Sequence, residues 1–493
     1  MGIRTNTALN LAGTIAPVAV MLVTVPVLIA TLGEARFGVL SLVWLLSGYV
    51  LFFDFGIGQA INFELAKLKE ASAEERANLF WLALLMAALF SLFGVPVLYG
   101  LAYWVFAYLI DMPDIIRAEV LSVLPWIAGS LPLSILNGFF IGALAGRDRF
   151  GLLNTSRAVG QTLVSCAQVI AALSVGATLE VVVPAAIIAT GLSVALVGVF
   201  AFKAVPARLR PSLAAMGDAK RILGYGGWVS VGSLARQIIA NSDRFVIGWI
   251  NGAQAVAVYA VVINLMRRLN MVPRALAEAL FPAVTGQQGD AQNELIRKAI
   301  RIQAALGLAV AGGMAIAVEP FLWLWLGADF AARAAPLAQL VAVFAYISGL
   351  NGLGVALVRA SGDPRFASLV LVSQIVPFFV GLYFGSLLYG VMGVAVVCIL
   401  RALFDMGRLF ARLKMLRGIT LLSAPILAFL LSGLVFPLFF ASPWQPSALA
   451  VRFAAGLSVA LWCLWLAPEL ISLVPERMRV WDQRARHEGE GQS

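Results

Sequence analysis

The sequence predicts an all-α, polytopic membrane protein of about fourteen transmembrane helices. The expected architecture is two six-helix lobes in a parallel pseudo-repeat around a central cavity, followed by two C-terminal helices. Of the 493 residues, 61% are hydrophobic and 12% are charged, whereas a soluble chain carries roughly 25% charged residues. The apolar residues come in runs of about twenty, the length that crosses roughly 30 Å of hydrocarbon.

The first apolar run follows the N-terminus directly and lacks a signal-peptide cleavage pattern, so it is expected to stay as the first helix. The predicted spans cover residues 8–30, 38–60, 79–104, 120–145, 155–176, 181–202, 226–250, 254–279, 299–325, 336–358, 366–388, 391–410, 419–440 and 450–472. We divide the chain into an N-terminal lobe, a cytoplasmic linker, a C-terminal lobe and two extra spans with a basic tail, at 1–202, 203–225, 226–417 and 418–493.

A weak internal repeat supports two related lobes. "LGEARFGVLSLV" after the first span aligns with "NGAQAVAVYAVV" after the seventh, which pairs Gly33 with Gly252 and Gly38 with Ala257. An even number of crossings separates these spans, so the two lobes should run in the same direction through the membrane. This is the parallel repeat about an axis along the membrane normal that occurs in transporters.

Lys and Arg set the predicted orientation, because cytoplasmic loops are enriched in them. One set of connections and the C-terminal tail carry most of these residues, including Lys67, Arg147, Lys203, Arg297, Arg359, Arg412 and Arg484. The alternate connections hold only Arg36, Arg117, Arg333 and Arg452. Both termini and the basic loops are therefore expected in the cytoplasm.

Several functional classes are not favoured by the composition. The net charge of +10 and the pI of about 9.8 reflect the basic loops rather than a nucleic-acid surface. Cys166, Cys398 and Cys463 all lie inside apolar segments, as small core residues do. His487 is the single histidine and lies in the tail. The chain has no phosphate-binding loop, and no cofactor or metal is expected.

Charged residues inside predicted spans seven and eight are the main functional signal. Arg236 and Asp243 are seven residues apart, on one face of a helix, and Arg244 follows. Span eight carries Arg267, Arg268, Arg274 and Glu278, with Pro273 expected to bend the helix. Each charge at a helix centre costs roughly 2.5–3.5 kcal/mol on insertion scales, so such residues face protein or water.

Two interpretations of this cluster are open. The pairs Arg236–Asp243 and Arg274–Glu278 could be structural ion pairs between helices. The five arginines nevertheless outnumber the two acids, which favours a wet, positively charged cavity that binds an anion. The charges do not identify that anion.

Predicted span five presents a stripe of hydrogen-bonding groups. Asn154, Gln161 and Gln168 lie on one helix face together with Arg157 and Ser165. Such stripes can hold membrane helices together. Amides also suit sugar hydroxyls, because they both donate and accept hydrogen bonds, and we favour a cavity-lining role.

Four carboxylates are candidates for proton or cation coupling: Asp54, Asp243, Glu278 and Asp405. Asp54 lies near the inner end of span two, where an acid close to the interface needs no special role. In span twelve, Arg401, Asp405 and Arg408 occupy positions i, i+4 and i+7. An intrahelical Arg401–Asp405 ion pair explains this spacing.

Several segments together resemble the bacterial polysaccharide exporters, the O-antigen and exopolysaccharide flippases of the multidrug/oligosaccharidyl-lipid/polysaccharide (MOP) exporter superfamily. The N-terminal match is "LNLAGTIAPVAVMLVTVPVLIATLGEARFGVLSLV", with Pro17 and Pro26, followed by "FFDFGIGQAINFELAK" with Asp54. The later matches are "SDRFVIGWINGAQAVAVYAVV", with Asp243 and Arg244, and "ALFPAVTG" at 279–286.

The resemblance implies a transporter rather than an enzyme. Its substrate would be an oligosaccharide on undecaprenyl pyrophosphate, moved from the cytoplasmic to the periplasmic leaflet by alternating access. Lumenal arginines would hold the pyrophosphate and span-five amides would contact the sugars. Implied partners are membrane lipids, a polysaccharide polymerase and a chain-length regulator, and no nucleic acid.

Three alternatives come from other functional classes. The polysaccharide exporters typically have twelve spans, whereas the fourteen predicted here are the number found in the lipid II flippases of peptidoglycan synthesis. Lipid II flippases usually also have basic residues within span one, and this chain lacks them there. A cation or drug antiporter is less favoured, because a positive cavity repels cations. A glycosyltransferase acting on the same lipid carrier would have to use Asp111 and Asp114, on a short loop.

Overall fold

A computed structural model of the chain describes residues 3–48, 56–68, 72–205, 237–271, 289–360, 364–432 and 443–467. The described residues form two compact units, Met1–Ala260 and Val261–Ser493. Throughout the described part of the chain the secondary structure is helical, with no strand. The predicted all-α fold is therefore confirmed. The boundaries of the predicted lobes and linker stay a prediction, because residues 206–236 lie outside the described ranges.

The first unit begins with helices that correspond to predicted spans one to six. They are α1 (Ile3–Leu32), α2 (Glu34–Gly48), α3 (Ile57–Lys67), α4 (Ala73–Trp104, continued by a π-helical turn Val105–Leu109), α5 (Asp114–Ser122), α6 (Leu124–Gly146), α7 (Phe150–Ser174) and α8 (Leu179–Ala204). Span seven corresponds to α9, helical across 237–250.

The remaining helices correspond to predicted spans eight to fourteen. They are α10 (Gly252–Leu269), α11 (Gly289–Leu326), α12 (Ala328–Ala360), α13 (Pro364–Val372), α14 (Ile375–Arg412), α15 (Leu416–Ser432) and α16 (Pro446–Leu466). Inside α14, Gly390 has φ 57° and ψ −141°, so two helices meet there. This break falls between the ends predicted for spans eleven and twelve.

Seven described segments are long and apolar enough to span a membrane: Ala73–Leu109, Leu124–Gly146, Leu179–Ala204, Glu294–Leu326, Ala328–Arg359, Leu369–Arg412 and Pro446–Leu466. Shorter apolar helices cover Val18–Leu32 and Leu416–Ser432. The number is below fourteen partly because several predicted spans cross residues outside the described ranges. The chain is a multi-pass membrane protein.

Local sequence signals explain where some helices begin and end. Ser72 caps α4 by accepting a hydrogen bond from the Glu75 amide at 3.2 Å. Glu74 and Glu75 lie in the first turn, where their negative charges interact favourably with the positive end of the helix dipole. Gly33 has φ 80° between α1 and α2, a left-handed conformation that glycine adopts without steric cost.

Glycines allow helices of the first unit to pack closely. A Cβ atom added to Gly142 on α6 would lie 2.0 Å from the Gly58 carbonyl oxygen on α3. Small residues permit such approaches between membrane helices. Next to this contact, the rings of Phe80 and Phe139 pack with centroids 4.8 Å apart in the apolar core.

The order of helix packing recurs in the two units, as the predicted repeat requires. In the first unit α4 packs on α6, and α6 packs on α8. In the second unit α11 packs on α12, and α12 packs on α14. Asn351 on α12 donates a hydrogen bond to the Ala402 carbonyl on α14 at 2.8 Å. The last helix, α16, packs on α11.

Candidate functional site

The structure describes eight of the twelve residues proposed from the sequence. They are Asn154, Gln161, Gln168, Asp243, Arg244, Arg267, Arg268 and Asp405. The other four, Asp54, Arg236, Arg274 and Glu278, lie outside the described residues, as does Pro273.

Helices α9 and α10 form a hairpin at Asn251 and Gly252. Gly252 has φ 81°, and Gly38 on α2 comes so close that an added Cβ would lie 1.8 Å from the Ala253 carbonyl oxygen. The turn is bound to the segment after α4, because the Asp111 amide donates to the Gly248 carbonyl at 3.0 Å and the Ala253 amide donates to the Asp111 carbonyl at 3.0 Å. These bonds fix the position of the hairpin within the first unit.

A buried aspartate lies at the centre of this hairpin. The Tyr259 hydroxyl on α10 donates to Asp243 Oδ2 at 2.5 Å, and the Arg244 amide donates to Asp243 Oδ1 at 2.8 Å. Asp243 is 6% exposed and Tyr259 1% exposed. Among the residues the structure describes, no cation forms an ion pair with Asp243. Within the described part of the chain, neutral donors therefore hold this carboxylate.

Arg244 is buried beside this aspartate, with 5% of its surface exposed. Its neighbours on the same helix, Asn241 and Ser242, are also buried. A continuous polar segment is thus enclosed within α9.

Arg267 and Arg268 occupy the last turn of α10. Arg267 is exposed and Arg268 is half-buried. Cations are favourable at this end of a helix because its free carbonyl groups carry a partial negative charge. This position is therefore favourable for both side chains.

The amide stripe of predicted span five divides along α7. Gln161 is exposed and Asn154 half-buried, so both suit contact with a ligand. Gln168 is 2% exposed, and its Nε2 has no hydrogen-bond partner among the described residues. An unpaired buried amide costs free energy, which makes Gln168 the most unusual member of the stripe.

Asp405 is held within the second unit by the predicted ion pair. Arg401 Nη1 lies 3.1 Å from Asp405 Oδ2, which confirms the pairing expected from the i, i+4 spacing. The Gln374 amide donates to the other carboxylate oxygen. Both oxygens of Asp405 thus have partners, one of them a cation.

Two arginines used only to predict orientation also form ion pairs. Arg36 binds Glu119 through several hydrogen bonds, the shortest of 2.6 Å from Nη2 to Oε1, and Arg452 binds Glu319. The Leu179 amide also donates to Glu119, at 3.1 Å. Burial alone would raise the pKa of Glu119, but the hydrogen bonds from Arg36 and Leu179 lower that pKa below its ordinary value.

The described residues contain no group of three or more His, Cys, Asp or Glu side chains that could hold a metal ion. The three cysteines are free thiols. Cys398 is buried, while Cys166 and Cys463 are half-buried. The arrangement around Asp243 and Arg244 can bind charge, and no nucleophile–base pair lies there.

Comparisons with known proteins identify the fold and the family. The structure is similar to one titled "Lipid II flippase MurJ, inward closed conformation", with a TM-score of 0.69 and 14% identity over 95% of this chain and 99% of that chain. It is also similar to an inward-facing multidrug resistance MATE family transporter of the MOP superfamily, with a TM-score of 0.66 and 15% identity over 82% of this chain and 99% of that chain.

The sequence is 24% identical to the "Putative O-antigen transporter" of Shigella flexneri over 408 residues, which is 82% of this chain and 96% of that relative. The sequence pattern of the family described as "Polysaccharide biosynthesis protein" matches residues 3–287. This match includes α1 to α10, with the hairpin that holds Asp243 and Arg244. The chain belongs to the polysaccharide biosynthesis protein family, and its fold is that of the MOP superfamily.

Proposed function

We propose that this chain is a flippase that moves undecaprenyl-pyrophosphate-linked oligosaccharide repeat units from the cytoplasmic to the periplasmic leaflet. It is a transporter and not an enzyme, as its family and its structural relatives indicate. The similarity to the Shigella flexneri relative, which extends over 96% of that protein, carries the proposal.

The proposed substrate contacts divide by chemistry. Arg236, Arg244, Arg267, Arg268 and Arg274 bind the pyrophosphate through charge-assisted hydrogen bonds. Asn154, Gln161 and Gln168 bind sugar hydroxyls, which need both donors and acceptors. The burial of Arg244 and the exposure of Gln161 support these two roles.

The transport cycle is alternating access, with both termini in the cytoplasm and the protein in the inner membrane. The bonds of Asp111 to Gly248 and Ala253 close one end of the first unit. Gln254 Nε2 adds a bond to Glu34 Oε2 of 2.8 Å. These hydrogen bonds join predicted spans seven and eight to the N-terminal helices. In the alternating-access cycle they break when the end of the first unit that contains Asp111 and Gly252 opens.

Among the four carboxylates considered for ion coupling, Asp243 is the strongest of those described. Its donors are neutral, whereas Asp405 already has an arginine. The polymerase and the chain-length regulator are proposed partners that would use the exported repeat unit.

A lipid II flippase is the second candidate, and one observation favours it. The fold similarity to the lipid II flippase structure extends over 95% of this chain, against 82% for the multidrug transporter. Both similarities concern the fold alone.

Proteoliposomes that contain the purified full chain test the proposal. They receive undecaprenyl-pyrophosphate-linked oligosaccharide in one leaflet, and a glycan-cleaving enzyme outside reports how fast the glycan crosses. We expect crossing in wild type and its loss in Arg244→Ala. Arg244→Lys should retain part of it, and Arg297→Ala, which removes an exposed arginine elsewhere, should be unchanged. Equal rates in all four proteins would contradict the arginine site. If wild type moved lipid II rapidly but did not move this glycan, the second candidate would be favoured.

A further inference from the structure

Predicted span eleven is interrupted near the end assigned to the cytoplasm. Helix α13 ends at Val372 and α14 begins at Ile375, which leaves Ser373 and Gln374 in a turn between them. The last three turns of α14 lie opposite this interruption. We propose that the two together form a binding site for the phosphate headgroup of an anionic membrane lipid.

The charge balance of this region is positive. The C-terminal part of α14 carries Arg401, Arg408 and Arg412 with one acid, Asp405, a formal excess of two positive charges. Arg401 and the Gln374 amide already occupy the two oxygens of Asp405. Arg408 therefore has no ion-pair partner among the described residues.

The geometry around Arg408 presents its guanidinium for recognition. Its Nη1 donates to Ser373 Oγ at 2.8 Å, and its Cζ lies 5.5 Å from the centre of the Phe404 ring and 5.9 Å from that of Phe366. The two rings and the serine hold the side chain in place. A guanidinium has five N–H donors, and within the described part of the chain Arg408 uses one of them in a hydrogen bond.

Exposed apolar side chains surround this arginine. Leu369 and Val372 project from α13, and Leu400 and Phe404 from α14. On a membrane helix, side chains of this kind meet lipid. An anion that approaches Arg408 across this surface must carry its own hydrocarbon, as a membrane lipid does.

Phosphate is the anionic group that best fits this position. Arginine pairs with phosphate through two parallel hydrogen bonds, and this geometry is a reason for its use in phosphate sites. Anionic lipids give the cytoplasmic leaflet its negative surface potential, which attracts basic residues next to a membrane span.

This site is independent of the proposed transport function, because it uses none of the residues assigned to the flipped substrate. The test is lipid binding to the detergent-solubilised full chain, measured by native mass spectrometry and by the lipid-induced rise in Tm. The probes are phosphatidylglycerol, phosphatidylcholine and inorganic phosphate. The variants are Arg408→Ala and the near-isosteric Arg408→Gln, with Arg417→Ala as an exposed arginine control from the adjoining helix.

We expect phosphatidylglycerol to bind wild type and Arg417→Ala alike, and phosphatidylcholine to bind more weakly. Loss of the guanidinium should weaken phosphatidylglycerol binding about tenfold, in keeping with the strength of charge-assisted hydrogen bonds. Arg408→Gln keeps the bulk of the side chain and serves if Arg408→Ala fails to fold. Equal binding by wild type and Arg408→Gln would overturn the proposal. Displacement of the lipid by inorganic phosphate would also overturn it, because the site would then recognise a free anion.

Discussion

Two helical hairpins of this protein each hold an aspartate between their helices, and they satisfy it in different ways. In the α9–α10 hairpin, Asp243 is buried and accepts hydrogen bonds from a tyrosine hydroxyl and a backbone amide. In the hairpin that turns at Gly390, Asp405 is partly buried and accepts from an amide and from the Arg401 guanidinium. Asp243 has no ion-pair partner among the described residues, and a charge without one is costly inside a membrane. We therefore predict that Asp405 serves stability and that Asp243 serves transport.

The first test neutralises each aspartate in turn. Asp243→Asn should lower export at least about tenfold, equivalent to ~1.4 kcal/mol, because the residue can no longer change its charge during the cycle. Asp405→Asn should export normally per folded molecule. The measurement is surface polysaccharide in a deletion strain that expresses each variant, normalised to protein in the membrane. Normal export by Asp243→Asn together with loss in Asp405→Asn would reverse the assignment.

A second test breaks the ion pair and leaves the acid in place. Arg401→Ala should lower the free energy of unfolding by about 2–3 kcal/mol, because Asp405 then lacks its cation while it stays largely buried. The double variant Arg401→Ala/Asp405→Asn should recover part of this loss. The Tm of the purified proteins in detergent gives the comparison. No recovery in the double variant would mean that the pair is not coupled.

The tyrosine hydroxyl provides a smaller test of the first hairpin. Tyr259→Phe removes one hydrogen bond to a carboxylate, a loss of about 1.5–3 kcal/mol, and leaves the ring in place. We expect export to fall, because the carboxylate of Asp243 loses a donor that fixes its position. Tyr383→Phe, an exposed tyrosine on α14, is the matched control and should export normally. Normal export by Tyr259→Phe would separate the hydroxyl from the function of Asp243.

The sequence predicts the hairpins but not the partners within them. The break at Gly390 and the Arg401–Asp405 pair both follow from local spacing. Tyr259 and Gln374 lie on the opposite helix of each hairpin, and hydropathy does not show which faces meet. The sequence does contain one signal, because residues equally far from the turn of a hairpin lie opposite each other. Asp243 and Tyr259 are each eight residues from Asn251. Gln374 and Asp405 lie 16 and 15 residues from Gly390. Arg452 and Glu319 are 133 residues apart, and no local pattern connects them.

The smallest expected effect concerns Glu119, a carboxylate outside the spans that also has an arginine. Because its pKa is lowered in the folded protein, the pair with Arg36 stabilises the protein at neutral pH. That contribution is lost as the pH falls through the lowered pKa. Glu119→Gln should cost about 1 kcal/mol at neutral pH, and its Tm should approach that of wild type in acid. A Tm difference that stays constant from neutral to acidic pH would contradict the ion pair's contribution.

The central claim is that this protein flips a glycan linked to undecaprenyl pyrophosphate, and a deletion strain tests it most directly. The undecaprenyl-pyrophosphate lipids are extracted and identified, and their leaflet is determined with a glycan-cleaving enzyme added from the periplasmic side. We predict that an oligosaccharide repeat unit accumulates and stays protected, facing the cytoplasm. Accumulation of lipid II would assign the protein to peptidoglycan synthesis, and accumulation of neither lipid would contradict a pyrophosphate-linked substrate.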